Sequence, residues 1–467
     1  MITIKSPRPE NWNQLTPEQR RNQKLKWQAE GYKSIKFVSA EAEKNYKTKL
    51  RRTIEALRVR EPDRVPVSVS GGIVPLLENG MTYYDAIYDT PKAMAAFEKF
   101  NEKHAKDLET CVAPMLFPAR VIDAMDLKLY AWPGHGVPES APSYQFNEGE
   151  YMKPGEYDAF IRDPSDFWLR TYLPRIMGTF APLEKVIPLT DIIEFPAGSL
   201  MGLARPEIQA MLQKLIDVGK ELDRYGKATG EYSRKTLAMG YPGALPRCIA
   251  HAPFDTIGDT LRGTSAIIKD MFRQPDKLLE ALDAAADMTI DSVLNSASAA
   301  RAVFAWFPLH KGADGWMSEK QFEKFYFPSL KKVLDAFIND GLIVTLFAEG
   351  SYDTRLEYFT DFPKGSIHWL FDRSDMARAK KLFGGKFCIE GNVPSSLLAT
   401  GKPADVKAMC KGLIETCGKG GGYILSAGAS IANPKVENLK AMVDAAKEYG
   451  VYSGRKAPDD SDIFAGY

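Results

Sequence analysis

The chain is poor in histidine and cysteine, with five of each in 467 residues, and no two cysteines stand in a CxxC spacing. Scattered thiols exclude a disulfide frame and the paired ligands of a zinc ribbon; they read as reduced, mostly buried side chains of a cytoplasmic protein. No apolar run reaches the ~18 residues of a membrane span, and the opening MITIKSPRPENWNQ lacks the charged-then-apolar order of a secretory signal. Neither sign of charge is in excess. A formal net charge of +1 argues against nucleic acid or an anionic membrane as partner. HExxH, GxSxG and a kinase-type set are missing, and no GxGxxG follows the first apolar strand. The glycine run at 418–422 precedes a strand, whereas a P-loop follows one, so it reads as a helix stop.

What is present is an ordinary globular composition, 45% apolar and 26% charged, with one strongly patterned stretch from Gly341 to Gly450. Apolar runs at Leu342–Phe347, Ile367–Phe371, Phe387–Ile389 and Tyr423–Leu425 each stop at a polar or glycine-rich turn and are followed by a helical pattern. Strand, short loop and helix in repetition predict a parallel sheet with crossover helices. Earlier strand candidates are Val65–Val69, Cys111–Leu116, Val186–Leu189, Ala244–His251 and Ala302–Phe307, the last ended by Pro308. Together they predict an α/β fold, a TIM (β/α)8 barrel over residues 61–455. Residues 1–60 form a polar helical arm that packs on its own barrel or on a partner subunit, which leaves a homodimer open; 456–467 form a tail. Helices are predicted from Pro17, after the cap Thr16, and over Pro91–Glu109, Pro206–Met239 and Ser318–Asn339. The DPSDFWLRTYLPRIM helix is expected to break at Pro174. A long proline- and aromatic-rich loop region, Ala131–Asp158, is inserted and reads as a cover over a site.

In a βα barrel, chemistry gathers just past the strand C-termini, here Glu349, Asp372, Asn392 and Ser426. A carboxylate closing an apolar strand is costly to bury unless paired, liganded or solvated in a cleft. Glu349 therefore either pairs with Arg355 or Arg373, or serves as a general acid, metal ligand or substrate contact. Asp372 carries the same argument, with Arg373 and Arg378 as ion-pair alternatives. His251 and His310 also fall at strand ends, and His135 lies in the inserted loop. The candidate catalytic set is Glu349, His310 and Asp372. The candidate substrate-binding set is His135, Tyr151, His251, Asn392 and Ser426. Glu349, His251 and His310 are also candidate ligands for one divalent metal such as zinc.

Three segments resemble the uroporphyrinogen decarboxylase superfamily: RVREPDRVP at 58–66, GNVPSSLLATGKPADVKAMC at 391–410, and GGYILSAGASIANPKVENLKAMVDAAKEYG at 421–450. The resemblance implies a TIM-type barrel with its site at the strand C-terminal ends. True porphyrinogen decarboxylases carry an arginine-rich motif after the first strand, where this chain reads SVSGGIVPLLENG without arginine. The thiol-methylating branch binds zinc at positions that match Phe347, Glu349 and Ala429, so those ligands are absent. What remains is similar to the methyl-donor side of corrinoid-dependent systems. That implies transfer of a methyl group from a methoxylated, most simply aromatic, ether or a methylamine to the cobalt of a corrinoid (cobalamin) carrier protein. The chain lacks the DxHxxG signature of such carriers, so the corrinoid belongs to a partner. The alternative is a carboxy-lyase acting on a small carboxylic acid or a tetrapyrrole.

Overall fold

The computed structural model describes residues 8–186, 200–428 and 433–453; the expected tail 456–467, the position Ala429 and most of the strand candidate Val186–Leu189 lie outside these. Seven parallel strands form one curled sheet: β1 (Val67–Ser68), β5 (Arg247–Ile249), β6 (Phe304–Leu309), β7 (Ile343–Ala348), β8 (Ile367–Phe371), β9 (Cys388–Val393) and β10 (Tyr423–Ala427). The order is β1-β10-β9-β8-β7-β6-β5, so the first and last strands in sequence are neighbours, as in a closed α/β TIM barrel. The expected strand Cys111–Leu116 is not formed; the stretch lies beside Gly71, just after β1, where a Cβ would come within 2.6 Å of Val112. Helix side chains replace the ladder there. Val112 N–H donates to Asn101 Oδ1 (2.8 Å), and the Tyr225 hydroxyl donates to the Leu116 carbonyl (2.7 Å).

The four patterned runs are all strands; Ile367–Phe371 has the expected bounds, and those of the other three differ from the sequence reading. β6 continues through Pro308, since that position needs no N–H where it faces Phe347. β9 and β10 run on to Val393 and Ala427, which places Asn392 and Ser426 inside strands and not beyond them. The predicted break at Pro174 is absent: a wide π turn at Trp168–Tyr172 leads into helix Leu173–Ile176, with Pro174 in its first turn. The inserted region builds a small three-stranded sheet of β2 (Tyr130–Pro133), β3 (Gly136–Val137) and β4 (Gln145–Phe146).

The N-terminal helices close the bottom of the barrel. Leu50, Ile54, Ala56 and Leu57 of helix Ala40–Leu57 are buried against Val303, Ile343, Cys388 and Ile424. Full burial of each larger side chain contributes roughly 1.5–3 kcal/mol. Lys24, only 1% exposed, is buried because Asp340 neutralises it at 3.2 Å, tying the arm to the turn before β7. The arm thus packs on its own barrel. No helix among the described residues is long and apolar enough to cross a membrane.

Candidate active site

β6 delivers His310 and Lys311 to the barrel mouth, and the helical turns after β5 supply two acids one turn apart. Asp255, fully buried, accepts from His310 N–H (3.1 Å), Lys311 N–H (2.9 Å) and the Tyr326 hydroxyl (2.7 Å), which fixes the chain after β6. Burial, then the charge of Asp259, pushes its carboxyl up to about 6. Asp259 reaches the side chains. One oxygen accepts from His310 Nδ1 at 2.6 Å and the other pairs with Lys311 Nζ at 2.7 Å. Burial opposes its charge, but the hydrogen bonds from His310 and Lys311 hold it below the usual carboxylate range. Lys311, buried, also donates to Thr264 Oγ1 (2.7 Å) and Glu148 Oε1 (3.3 Å), so the inserted region is fastened to the mouth.

His310 is the centre of the arrangement. Burial works against its charge, yet the hydrogen bond to Asp259 and the contact with Glu349 raise its pKa to about 10. It is therefore an imidazolium at neutral pH. Its Nε2 faces Glu349 Oε1 across 3.7 Å, too long for a hydrogen bond but at ion-pair range. Glu349 is exposed at the end of β7 and pairs with neither sequence-suggested arginine: Arg355 donates to Gly312 and Met317 carbonyls, and Arg373 lies 3.5 Å from Asp372. His251, open to solvent at the end of β5, is held more neutral than usual by burial and by the positive His310.

The remaining candidates fall in different places. Asp372 accepts from Gly350 N–H (3.3 Å) and braces the turn after Glu349. Asn392 donates to the Ser374 carbonyl (2.9 Å), and Ser426, opposite it in register, donates to the Ala427 carbonyl (2.9 Å). His135 stacks on the buried Trp132 at 4.0 Å, and the Tyr151 hydroxyl donates to the Asn147 carbonyl at 3.3 Å. The structure thus unites His251, His310 and Glu349, with Asp372 behind them, and holds His135 and Tyr151 in local contacts of the inserted region. The sequence reading missed Asp255 and Asp259; their i, i+4 spacing in DTIGD, directly after a strand, was the available signal.

Aromatic rings wall one side. Tyr130 packs edge-on against Tyr144 and Phe146, each at 5.3 Å, and Tyr144 against Phe117 at 5.6 Å. Glu148, two residues beyond Phe146, accepts from Lys311 Nζ (3.3 Å), which pairs with Asp259 at 2.7 Å, so the strand that carries this wall is tied to the Asp259–His310 pair. The tripartite metal site expected from Glu349, His251 and His310 is not assembled: no group of three His, Cys, Asp or Glu among the described residues is arranged to hold a metal ion.

Residues 248–449, which include β6 to β10 and both acids, match the protein-family model described as Uroporphyrinogen decarboxylase (URO-D). The match covers less than half of the chain, and over that part the chain is similar to the uroporphyrinogen decarboxylase family. Among curated proteins it is 28% identical over 138 residues to "Uroporphyrinogen decarboxylase" of Christiangramia forsetii, a match spanning 29% of this chain and 38% of that relative. Among solved structures it is similar to a methyltransferase from Methanosarcina mazei, with a TM-score of 0.53 and 18% identity over 85% of this chain and 98% of the other. That second likeness is one of fold.

Proposed function

We propose that this chain is a methyltransferase that moves a methyl group from a methoxylated aromatic donor to the cobalt of a corrinoid carrier protein. The observation that carries the reading is His310, a charged imidazole with one nitrogen locked by Asp259 and the other turned to the open mouth beside Glu349. An aryl ether gives up its methyl group to a nucleophile only as the oxygen becomes a phenolate, and a proton delivered to that oxygen eases departure. An acid with a pKa near 10 is matched to a phenol, whose own pKa is ≈ 10, so the transfer is close to balanced. In this reading His310 Nε2–H donates to the ether oxygen, Asp259 holds the ring, and Glu349 keeps the imidazolium charged and aimed. The Tyr130–Tyr144–Phe146 wall flanks the methoxy end of the donor at the mouth. The reduced cobalt of the carrier supplies the nucleophile. Fold likeness to a methyltransferase supports the same reaction class.

The test is an anaerobic absorbance assay in which cob(I)alamin, free or on a carrier, is mixed with the protein and a panel of methoxyaromatics and methylamines. Growth of the methylcobalamin band that is lost in Glu349→Gln supports the reading. No change across ethers and amines, with a competent corrinoid control, overturns it. The URO-D domain match favours a second reading, a carboxy-lyase acting on a small acid. Release of carbon dioxide is its assay. A tetrapyrrole substrate is disfavoured because residues 68–80 offer no arginine to its carboxylates.

A further inference from the structure

The strand side chains that face into the barrel form layers. At the bottom, Leu245 and Phe304 pack with the closing helix. Trp306, Thr345 and His368 stand in register one step higher, Glu390 lies two residues beyond the partner of His368, and Arg247, in register with Phe304, reaches up to Trp306 with its guanidinium. The Thr345 hydroxyl is hydrogen-bonded to His368 Nδ1 (3.3 Å), and His368 Nε2 lies 3.0 Å from the Glu390 carboxylate, both residues being buried. Arg247 stands apart from that cluster. Its guanidinium carbon is 5.6 Å from the centroid of Trp306, the residue itself is exposed, and it forms no ion pair among the described residues. The acid of this layer, Glu390, is already engaged by His368. Above Arg247 the next inward residue, Ile249, is 60% exposed. TIM barrels fill their interiors with layers of side chains, so an accessible arginine and isoleucine mark an open lumen beside β5.

A cation in such a lumen is stable while water reaches it and binds strongly to an anion that displaces the water. We propose that Arg247 is a carboxylate-binding subsite, and that the donor is an aromatic ether carrying a carboxylate at the end of the ring remote from the methyl group. The ether end of this assignment rests on the methyl-transfer reading; the carboxylate end rests on Arg247 alone. The dimensions agree. The guanidinium reaches the level of Trp306, and Trp306 and His310 are four residues apart along one strand, ~13 Å at ~3.3 Å per residue. One benzene ring with a substituent at each end and a hydrogen bond of about 3 Å at both is of that length. The faces of Trp306 and Phe347, stacked at 5.9 Å, and the side of Ile249 provide the apolar passage between.

The test is calorimetric titration of the full chain, without corrinoid, by para-methoxybenzoate and by the neutral para-methoxybenzamide. Wild type is expected to bind the benzoate about tenfold or more tightly than the amide, as a charge-assisted pair implies. Arg247→Met should bind the two equally, with amide affinity and melting temperature unchanged, and Arg247→Lys should keep part of the preference. Equal affinities in wild type, or a preference that survives in Arg247→Met, overturn the subsite. An Arg247-dependent preference without methyl transfer to any corrinoid leaves the subsite standing and removes the methyl-transfer reading. Methyl transfer from neutral ethers without any benzoate preference does the reverse.

Discussion

The Nδ1 of His310 and a carboxylate oxygen of Asp259 lie 2.6 Å apart, and this contact sets the protonation of the barrel mouth. His310 has an ordinary pKa of 6.5 and a folded value of about 10. A raised value means that the protonated form stabilises the fold; that stability is complete below pH 6.5 and disappears as pH climbs through about 10. Melting temperature of the wild type should therefore fall across this window. Asp259→Asn should flatten that slope, and a histidine proton titration by NMR should show the His310 midpoint moving down.

Glu349→Gln should leave the melting temperature within a degree or so of wild type, because the side chain is exposed and, among the described residues, has one ion-pair partner, His310, at 3.7 Å. Turnover should drop by roughly 10²-fold or more, the usual scale for disabling a general-acid assembly. Unchanged turnover would remove Glu349 from the assembly and leave Asp259 alone to hold His310.

Asp255→Ala should be far more damaging to the fold. Three donors, two backbone and one phenolic, would lose their acceptor in a fully buried place. Each orphaned group costs about 1–3 kcal/mol. Urea unfolding should register the sum as a lower midpoint at unchanged slope.

Tyr144→Ala and Phe146→Ala test the aromatic wall. Both rings are exposed and touch Tyr130 at 5.3 Å, so their removal leaves the core alone. Loss of one ring contact is worth about 0.5–1.5 kcal/mol, which predicts a KM for the donor raised up to about tenfold with kcat little altered.

Ile54→Ala tests the closed floor. The side chain is wholly buried against the bottom of the barrel, and large-to-small changes in such sites cost about 2–5 kcal/mol. Chemical denaturation should show the loss, while donor affinity in the remaining folded protein should be unchanged.

The strands of the C-terminal half were legible because each is a continuous apolar run bounded by turn residues, as with Ile343–Ala348. The place of Glu349, His251 and His310 followed from that, since a barrel converts strand ends into one mouth. Asp259 was not legible as a partner of His310, because a helical turn after β5 brings it there and only the pairing of β5 with β6 sets that distance. Arg247 was hidden by the brevity of β5, whose three residues alternate too few times to show which side faces inward. The stretch from Cys111 to Leu116 was read as a strand, yet its backbone is held by Asn101 and Tyr225, contacts that no local pattern announces.

A barrel sealed at one end by helix Ala40–Leu57 has a single doorway. In the methyl-transfer reading, a small donor seated towards the floor and a bulky carrier pressed against the rim must use it in turn. The demethylated product is then trapped until the carrier leaves. Initial-rate kinetics should consequently follow a compulsory order, donor on first and its phenol off last, and that phenol should inhibit competitively against the donor.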